Sequence, residues 1–357
     1  MAARGIPAGA RAAQGGPVRP GTVLVTGASS GIGRACALAL ARDGWRVLAG
    51  VRREEQGEAL RAEAGGRLVP VVLDVTREDL VGEAVRRVEE LAGAAGLQGL
   101  VNNAGIAAAG PVELIPAAVW RRQLEVNVVG VVAVTRALLP CLRRGRGRIV
   151  LMGSVSGLVS LPFMGPYSAS KFALEALADA LRIELAPWGV AVSVIEPGSV
   201  VTPIWTRSAR AAEAYLEPFP PGTEDVYGPA VAAMRRIAER NARHGLPPEA
   251  VVAAVRHALT APRPRPRYLV APPERAREIR LLRWLPTRWR DRVVLAAVER
   301  MLARERRAAA GGSTPSTVEG GRAASGSPAA PGEAGHGAGL APGTPAAPEG
   351  ARPEDTR

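Results

Sequence analysis

Val23-Leu24-Val25-Thr26-Gly27-Ala28-Ser29-Ser30-Gly31-Ile32-Gly33 begins as a continuous apolar run, passes three glycines and leads into Ala37, Leu38 and Leu40 before Asp43-Gly44. The run reads as a buried strand and the continuation as a helix, so the glycines stand at a strand-to-helix turn. Gly27 permits the tight turn. Gly31 and Gly33, with Ile32 between them, let backbone come close to a pyrophosphate at the helix N-terminus, where free N–H groups and the helix dipole favour negative charge. Ser29 and Ser30 add hydroxyl donors. A strand, a glycine turn and a helix in that order point to a nucleotide site.

Outward from this turn, strands are predicted near residues 46–51, 68–73, 97–102, 147–153, 190–196 and 267–270. Helices are predicted between them near 55–64, 77–93, 117–142, 166–186 and 248–260. The strands are unbroken apolar runs rather than alternating ones, as expected for parallel strands covered on both faces. The fold class is therefore α/β, a doubly wound parallel sheet in one domain. In such sheets ligands bind outside the carboxyl ends of the strands, at the topological switch point. Asp74, Asn102-Asn103-Ala104-Gly105, Ser154 and Pro197-Gly198 all fall at predicted carboxyl ends, which argues for one shared site.

The chain holds 46 cationic side chains, and Lys171 is its single lysine. It follows Tyr167 by four residues in Tyr167-Ser168-Ala169-Ser170-Lys171. A lysine is a point charge on a slim stem, where an arginine is a planar fork. A cation close to a phenol favours the phenolate, which brings a group with a pKa of about 10 nearer to working range. An i, i+4 pair on a solvated helix face is the plainer alternative.

Together the glycine turn, the Asn102-Asn103-Ala104-Gly105 segment, Asn127, Ser154, Tyr167 and Lys171 resemble the short-chain dehydrogenase/reductase family over residues 21 to 270. Val51-Arg52, Ile195-Glu196-Pro197-Gly198 and Arg267-Tyr268-Leu269-Val270 resemble its steroid and retinol dehydrogenase branch. The resemblance implies a Rossmann fold and an oxidoreductase acting between a secondary alcohol and a ketone on a lipophilic substrate. It implies Tyr167 as general acid and base, Ser154 as donor to the carbonyl oxygen, Lys171 on the nicotinamide ribose and Asn127 holding a water that links Lys171 to solvent. It also implies cofactor contacts at Asp74, Asn103, Ala104, Gly105, Pro197, Gly198, Val200 and Thr202. For Asp74 a turn or cap role, and for Asn127 a helix-interior amide satisfied by backbone, stay open.

Enzymes selective for NAD place an acid at the end of the second strand to accept the ribose 2'-hydroxyl. Val51 stands there in this chain, followed by Arg52, and a guanidinium pairs well with a 2'-phosphate. NADP(H) is expected over NAD(H), with Ser30, Glu54 and Glu55 keeping NAD open. Residues 203–247 interrupt the alternation with Trp205, Tyr215, Phe219 and Tyr227, and are predicted to form a substrate lid of one or two short helices. Leu158, Leu161, Phe163 and Met164 fit an apolar pocket or simple core packing.

Residues 1–20 and 308–357 are rich in Gly, Ala and Pro and are predicted to be disordered tails. The domain then covers 21–275, followed by a basic extension over 276–307. Residues 262–307 carry 14 Arg against 5 acids, so most of the net charge of +13 is local. No recognition-helix or stacking pattern accompanies it, and no nucleic-acid partner is expected. From Thr287 to Ala303, Val293, Val294, Ala297, Val298, Met301 and Leu302 recur at helical spacing beside Trp284 and Trp289. Such a helix packs on its own domain or a second subunit, or rests on an anionic membrane surface. A homo-oligomer is expected. Cys36 and Cys141 read as buried thiols, and the three histidines show no metal spacing, so no metal site is expected. With no secretory h-region and no uninterrupted apolar run of about 18 residues, the expected location is cytoplasmic, with membrane association open. A 3-ketoacyl reductase and a non-catalytic dinucleotide-sensing or scaffold protein remain as alternatives. Sugar epimerases of related fold carry a different glycine spacing.

Overall fold

The computed structural model describes residues 20–311 apart from residue 218, and only the backbone of 301, 302 and 304–311. The predicted tails fall outside this range, except for residue 20 and the 308–311 end of the last helix. Seven parallel strands, β1 (Thr22–Thr26), β2 (Arg46–Val51), β3 (Leu68–Val72), β4 (Gly99–Asn102), β5 (Arg148–Met152), β6 (Ala191–Pro197) and β7 (Arg267–Val270), form one sheet in the order β3-β2-β1-β4-β5-β6-β7. The order reverses between β1 and β4, which places the switch point beside the glycine turn.

Helices cover both faces, and the unbroken apolar strands are divided between them residue by residue. Val23, Val25, Val47, Ala49 and Val150 face one cluster, built with α1 (Gly31–Arg42), Leu60 of α2 (Glu54–Ala64) and α9 (Pro248–Thr260). Leu24, Leu48, Ile149 and Leu151 face the other, built with α3 (Glu78–Ala92), α5 (Gly130–Gly145) and α6 (Gly165–Leu185). The period of two along a strand sends successive side chains to opposite faces, so a sheet buried on both needs apolar residues at every position.

The helix expected over 117–142 is α4 (Ala117–Leu124), a π-helical turn (Glu125–Val129) and α5 in succession. By length and composition Ala117–Gly145 is apolar enough to cross a bilayer, but Val126, Val131, Val134, Leu138 and Leu142 are packed into the second cluster. Two helices, α7 (Ile204–Leu216) and α8 (Glu224–His244), occupy the lid region, and at 13 and 21 residues they are longer than expected.

After β7 come α10 (Pro273–Trp284), which the sequence reading did not separate from the extension, and α11 (Thr287–Gly311). Ile279 of α10 packs with Leu158 and Val159, and Leu282 and Val294 lie against them. Leu158 therefore helps to hold the extension on the domain, and it also borders a cavity lined by Glu196, Arg267, Leu269 and Trp284.

Arg267 ties the edge strand β7 to α6 by donating to Glu175 at 2.7 Å and Asp179 at 2.8 Å, with Glu196 of β6 at 3.7 Å. Glu175 and Glu196 are buried. Burial, and then the nearby Glu175 charge, push the Glu196 carboxyl up to about 7, and Arg267 opposes them. Removing one partner of a buried ion pair leaves uncompensated charge. Arg267→Ala is expected to lower unfolding free energy by about 3 kcal/mol at pH 8. The loss should shrink toward pH 6 as the Glu196 carboxyl takes up a proton, measured by urea denaturation. A pH-independent loss would show that the charges are not its origin.

Candidate active site

The turn after β1 has the shape a bound diphosphate requires. Gly27 and Gly31 take φ of +65° and +57°, and a Cβ on Gly33 would overlap the Asn103 amide and the Gly27 carbonyl. Ser30 caps α1 with extended backbone but makes no side-chain cap bond, and the first turn holds no acid. The leading N–H groups of a helix have no partner within it, so this end is open to an anion. Thr202 closes the turn from above: a Cβ on Gly31 would meet its Cβ at 3.2 Å. These residues fit a dinucleotide.

Thr26 joins the turn to β4 by accepting from the backbone N–H groups of Asn103 and Ala104, both at 3.0 Å. Asn103 in return donates to the carbonyls of Thr26 at 3.0 Å and Gly27 at 3.2 Å. Its amide hydrogens are thus directed at the turn itself. Asp74 accepts from the backbone and hydroxyl of Thr76, at 3.0 and 2.8 Å, a local turn of the kind the residue type favours. Burial raises its pKa, but the Thr76 bonds and the charges of Arg122 and Arg52 outweigh it and the net direction is down. Arg52 is exposed at the end of β2, within electrostatic reach of Asp74. On the far side, Gly198 donates to Val270 at 2.9 Å and Val200 pairs with Leu246, while the Trp205 indole donates to the Val200 carbonyl at 2.7 Å. Pro197 is buried at the end of β6.

Ser154 ends the loop after β5, and Tyr167 and Lys171 stand in the first two turns of α6. The Lys171 ammonium lies 5.5 Å from the centre of the Tyr167 ring and donates to the Met152 carbonyl at 2.7 Å. Burial raises the Tyr167 pKa, and a hydrogen bond with Ser154 offsets part of that. The expected acidification of the phenol is therefore reversed in direction, because desolvation of its charged form is the largest influence. Burial also pulls Lys171 down to about 8, against the opposing charge of Glu175.

Asn127 sits in the π-helical turn, 1% exposed. It accepts from Ile106 N–H at 2.9 Å and donates to the Ile106 carbonyl and the Ser170 hydroxyl, each at 3.0 Å. Gly105 lies directly against it, since a Cβ there would be 3.3 Å from the amide oxygen. The plainer reading, an amide satisfied largely by backbone, describes these contacts. Two further side chains complete the mesh. Gln123 binds Ala108 N–H at 2.7 Å and the Ile106 carbonyl at 3.0 Å, and Ser170 donates to the Tyr167 carbonyl at 2.7 Å. Both are fully buried, and the sequence reading missed them. Gln123 precedes Asn127 by one turn, the only signal that could have marked it.

Helices α7 and α8, in the region expected to form a lid, are bonded to this loop and the segment after it. Tyr215 of α7 accepts from Ala109 N–H at 3.1 Å and donates to its carbonyl at 2.8 Å, and Tyr227 of α8 donates to Glu113 at 2.6 Å.

The profile of the short chain dehydrogenase family matches residues 21–213. An NADPH-dependent 3-dehydrocapnine reductase of Ornithobacterium rhinotracheale is 36% identical over 254 residues, covering 70% of this chain and 87% of its own. Retinol dehydrogenase 16 of Mus musculus is 40% identical over 252 residues, covering 69% and 79%. The crystal structure of a short-chain dehydrogenase/reductase from Burkholderia phymatum in complex with NAD superposes with a TM-score of 0.63 at 30% identity, covering 73% and 92%. The chain belongs to the short-chain dehydrogenase/reductase family, as an NAD(P)-dependent oxidoreductase of its steroid and retinol dehydrogenase-like branch.

Proposed function

We propose that the protein interconverts a secondary alcohol and a ketone on a lipophilic substrate, with NADP(H) preferred and Tyr167 moving the proton. The observation that carries this reading is the convergence of Ser154, Tyr167 and Lys171, with Ser154 following β5 on the same sheet edge that carries the glycine turn after β1. When bound, the nicotinamide supplies or takes up the hydride. Ser154 donates a hydrogen bond to the reacting oxygen, where negative charge builds during reduction. Tyr167 gives that oxygen its proton, and takes it back in the oxidative direction. The Lys171 ammonium holds the ribose and stabilises the phenolate that Tyr167 leaves. Asn127 positions this assembly through Ile106 and Ser170, with the water link to solvent as its further role.

Arg52, next to Val51 in the place of a ribose-binding acid, supports the NADP(H) preference, as does the NADPH dependence named for the 3-dehydrocapnine reductase relative. A lipophilic substrate is supported by Val112, Trp120, Leu161, Phe163 and Met164, which surround the start of α6 with Val112 and Leu161 exposed. The names of the retinol dehydrogenase relatives agree with it. Exposed Leu281, Trp284, Trp289 and Leu295, interleaved with Arg277, Arg280, Arg283, Arg288 and Arg292, support a peripheral contact of the extension with an anionic lipid surface.

Four measurements test these readings. In an assay of NADPH and NADH oxidation against a panel of ketones, turnover should be faster with NADPH. Tyr167→Phe should abolish that turnover while leaving dinucleotide affinity within about twofold; retained turnover rules out its role. Because Lys171 titrates at about 8 and Tyr167 stays protonated well above that, kcat/KM for reduction should be level on the acid side and fall as pH rises through about 8. A profile level to pH 10 contradicts the part given to Lys171. Replacing Trp284 and Trp289 with Ser should reduce cosedimentation with anionic vesicles, and equal partitioning of both proteins removes the membrane contact.

A further inference from the structure

Arg207 lies on α7, the first lid helix, and is exposed. Its Nη1 nonetheless reaches across the domain and donates to the Ser30 hydroxyl at 3.2 Å. The approach is set by the chain just before it. Thr202 packs on Gly31, and Arg207 N–H donates to the Pro203 carbonyl at 3.1 Å, so Arg207 lies one helical turn beyond the neighbour of Thr202, near the start of α1.

A cation is electrostatically misplaced there. The N-terminus of a helix carries a positive partial charge, and α1 holds no acid in its first turn to offset it. Arg34, in that same turn, is already paired with Glu63. Among the described residues the polar partner of Arg207 is a neutral hydroxyl, itself unused as a helix cap. A guanidinium held at the positive end of a helix, with no carboxylate beside it, is stabilised when an anion occupies the space between them.

We propose that Arg207 donates its guanidinium to a phosphate of the bound dinucleotide and thereby fastens the lid to the cofactor. This rests on the reading that a dinucleotide binds at the glycine turn. It goes beyond that reading in giving the lid a direct part in cofactor recognition. The far end of α7 is fixed by Tyr215 to Ala109, next to the loop that Asn127 and Gln123 hold. Eight residues of helix, roughly 12 Å, separate the two attachments. A phosphate contact at Arg207 therefore sets the position of the helix that roofs the substrate side, and a filled dinucleotide site precedes a well-formed substrate site.

The test is equilibrium binding of NADPH and of NADH to the full chain, without substrate, by calorimetry or ligand fluorescence. Arg207→Gln should weaken binding about tenfold or more, and Arg207→Lys should restore part of it, since a charge-assisted bond is lost in the first and partly kept in the second. Arg210→Gln, which removes a second exposed cation from the same helix, controls for the general field and should change affinity less than about twofold. A loss confined to NADPH places the guanidinium on the 2'-phosphate, and an equal loss for both places it on the pyrophosphate. Unchanged affinity for both in Arg207→Gln, or an equal effect of Arg210→Gln, overturns the proposal while the dinucleotide reading stands. A wild-type chain that binds neither dinucleotide overturns the reading and this inference with it.

Discussion

Parallel strand pairing is the constraint from which the rest of the molecule follows. Strands that all run one way must be joined by crossovers, the crossovers must bury both faces of the sheet, and every strand then ends on the same edge. The loops that leave that edge bring together the glycine turn, Asp74, Asn103, Ser154 and Thr202, which are far apart in the chain. Reversal of the strand order between β1 and β4 parts the loops there and leaves the crevice open. The site is a consequence of topology, and the side chains at the strand ends determine what it can bind.

Within that crevice the polar residues divide into those that face the space and those that hold the walls. Asn103 and Asn127 resemble ligand-binding amides by motif, yet the described bonds of Asn103 run to backbone and those of Asn127 to the Ile106 backbone and the Ser170 hydroxyl. A loop at a strand end has no ladder to satisfy its peptide groups, and buried peptide groups need partners. Asn127 and Gln123 supply them to Ile106 and Ala108, and Ser170 accepts from both amides and donates to the Tyr167 carbonyl. The same mesh therefore stabilises the loop and fixes the helix that carries the phenol. The π-helical turn contributes by rotating Asn127 toward the loop, a local widening of the kind found at functional sites.

Much of this was legible in the sequence, for a physical reason. A sheet covered on both faces demands unbroken apolar strands, so β1 to β7 stand out, and their boundaries lie within two residues of those expected. The glycine turn and the Tyr167-to-Lys171 spacing are local patterns and survive intact. What was not legible depends on contacts between distant segments. Five residues of π-helix share their periodicity with the α-helix on either side. Gln123 has the type of a solvated helix position. In the sequence Leu158 stays open between a pocket and the core because the helix that covers it, α10, has only Ala276 and Ile279 as buried residues among six charged ones and gives little periodic signal. The pKa of Tyr167 was misjudged because its sign depends on burial, which spacing does not report.

That misjudgement bears on why the chain keeps one lysine. Desolvation acts on both members of the pair, raising the phenol and lowering the ammonium, so burial favours their neutral forms together. A lysine tolerates such a place because it can release its proton, and because among the described residues the Met152 carbonyl accepts one of its three N–H groups. An arginine there would stay charged at any working pH and would bring five donors to a single carbonyl, leaving most of them buried without partners. In the reaction proposed above, the charge on Lys171 would be adjustable by what enters the crevice: ribose hydroxyls would add acceptors and favour the ammonium, and a developing phenolate would favour it further. The residue that the composition singles out is the one whose ionisation the site has to be able to change.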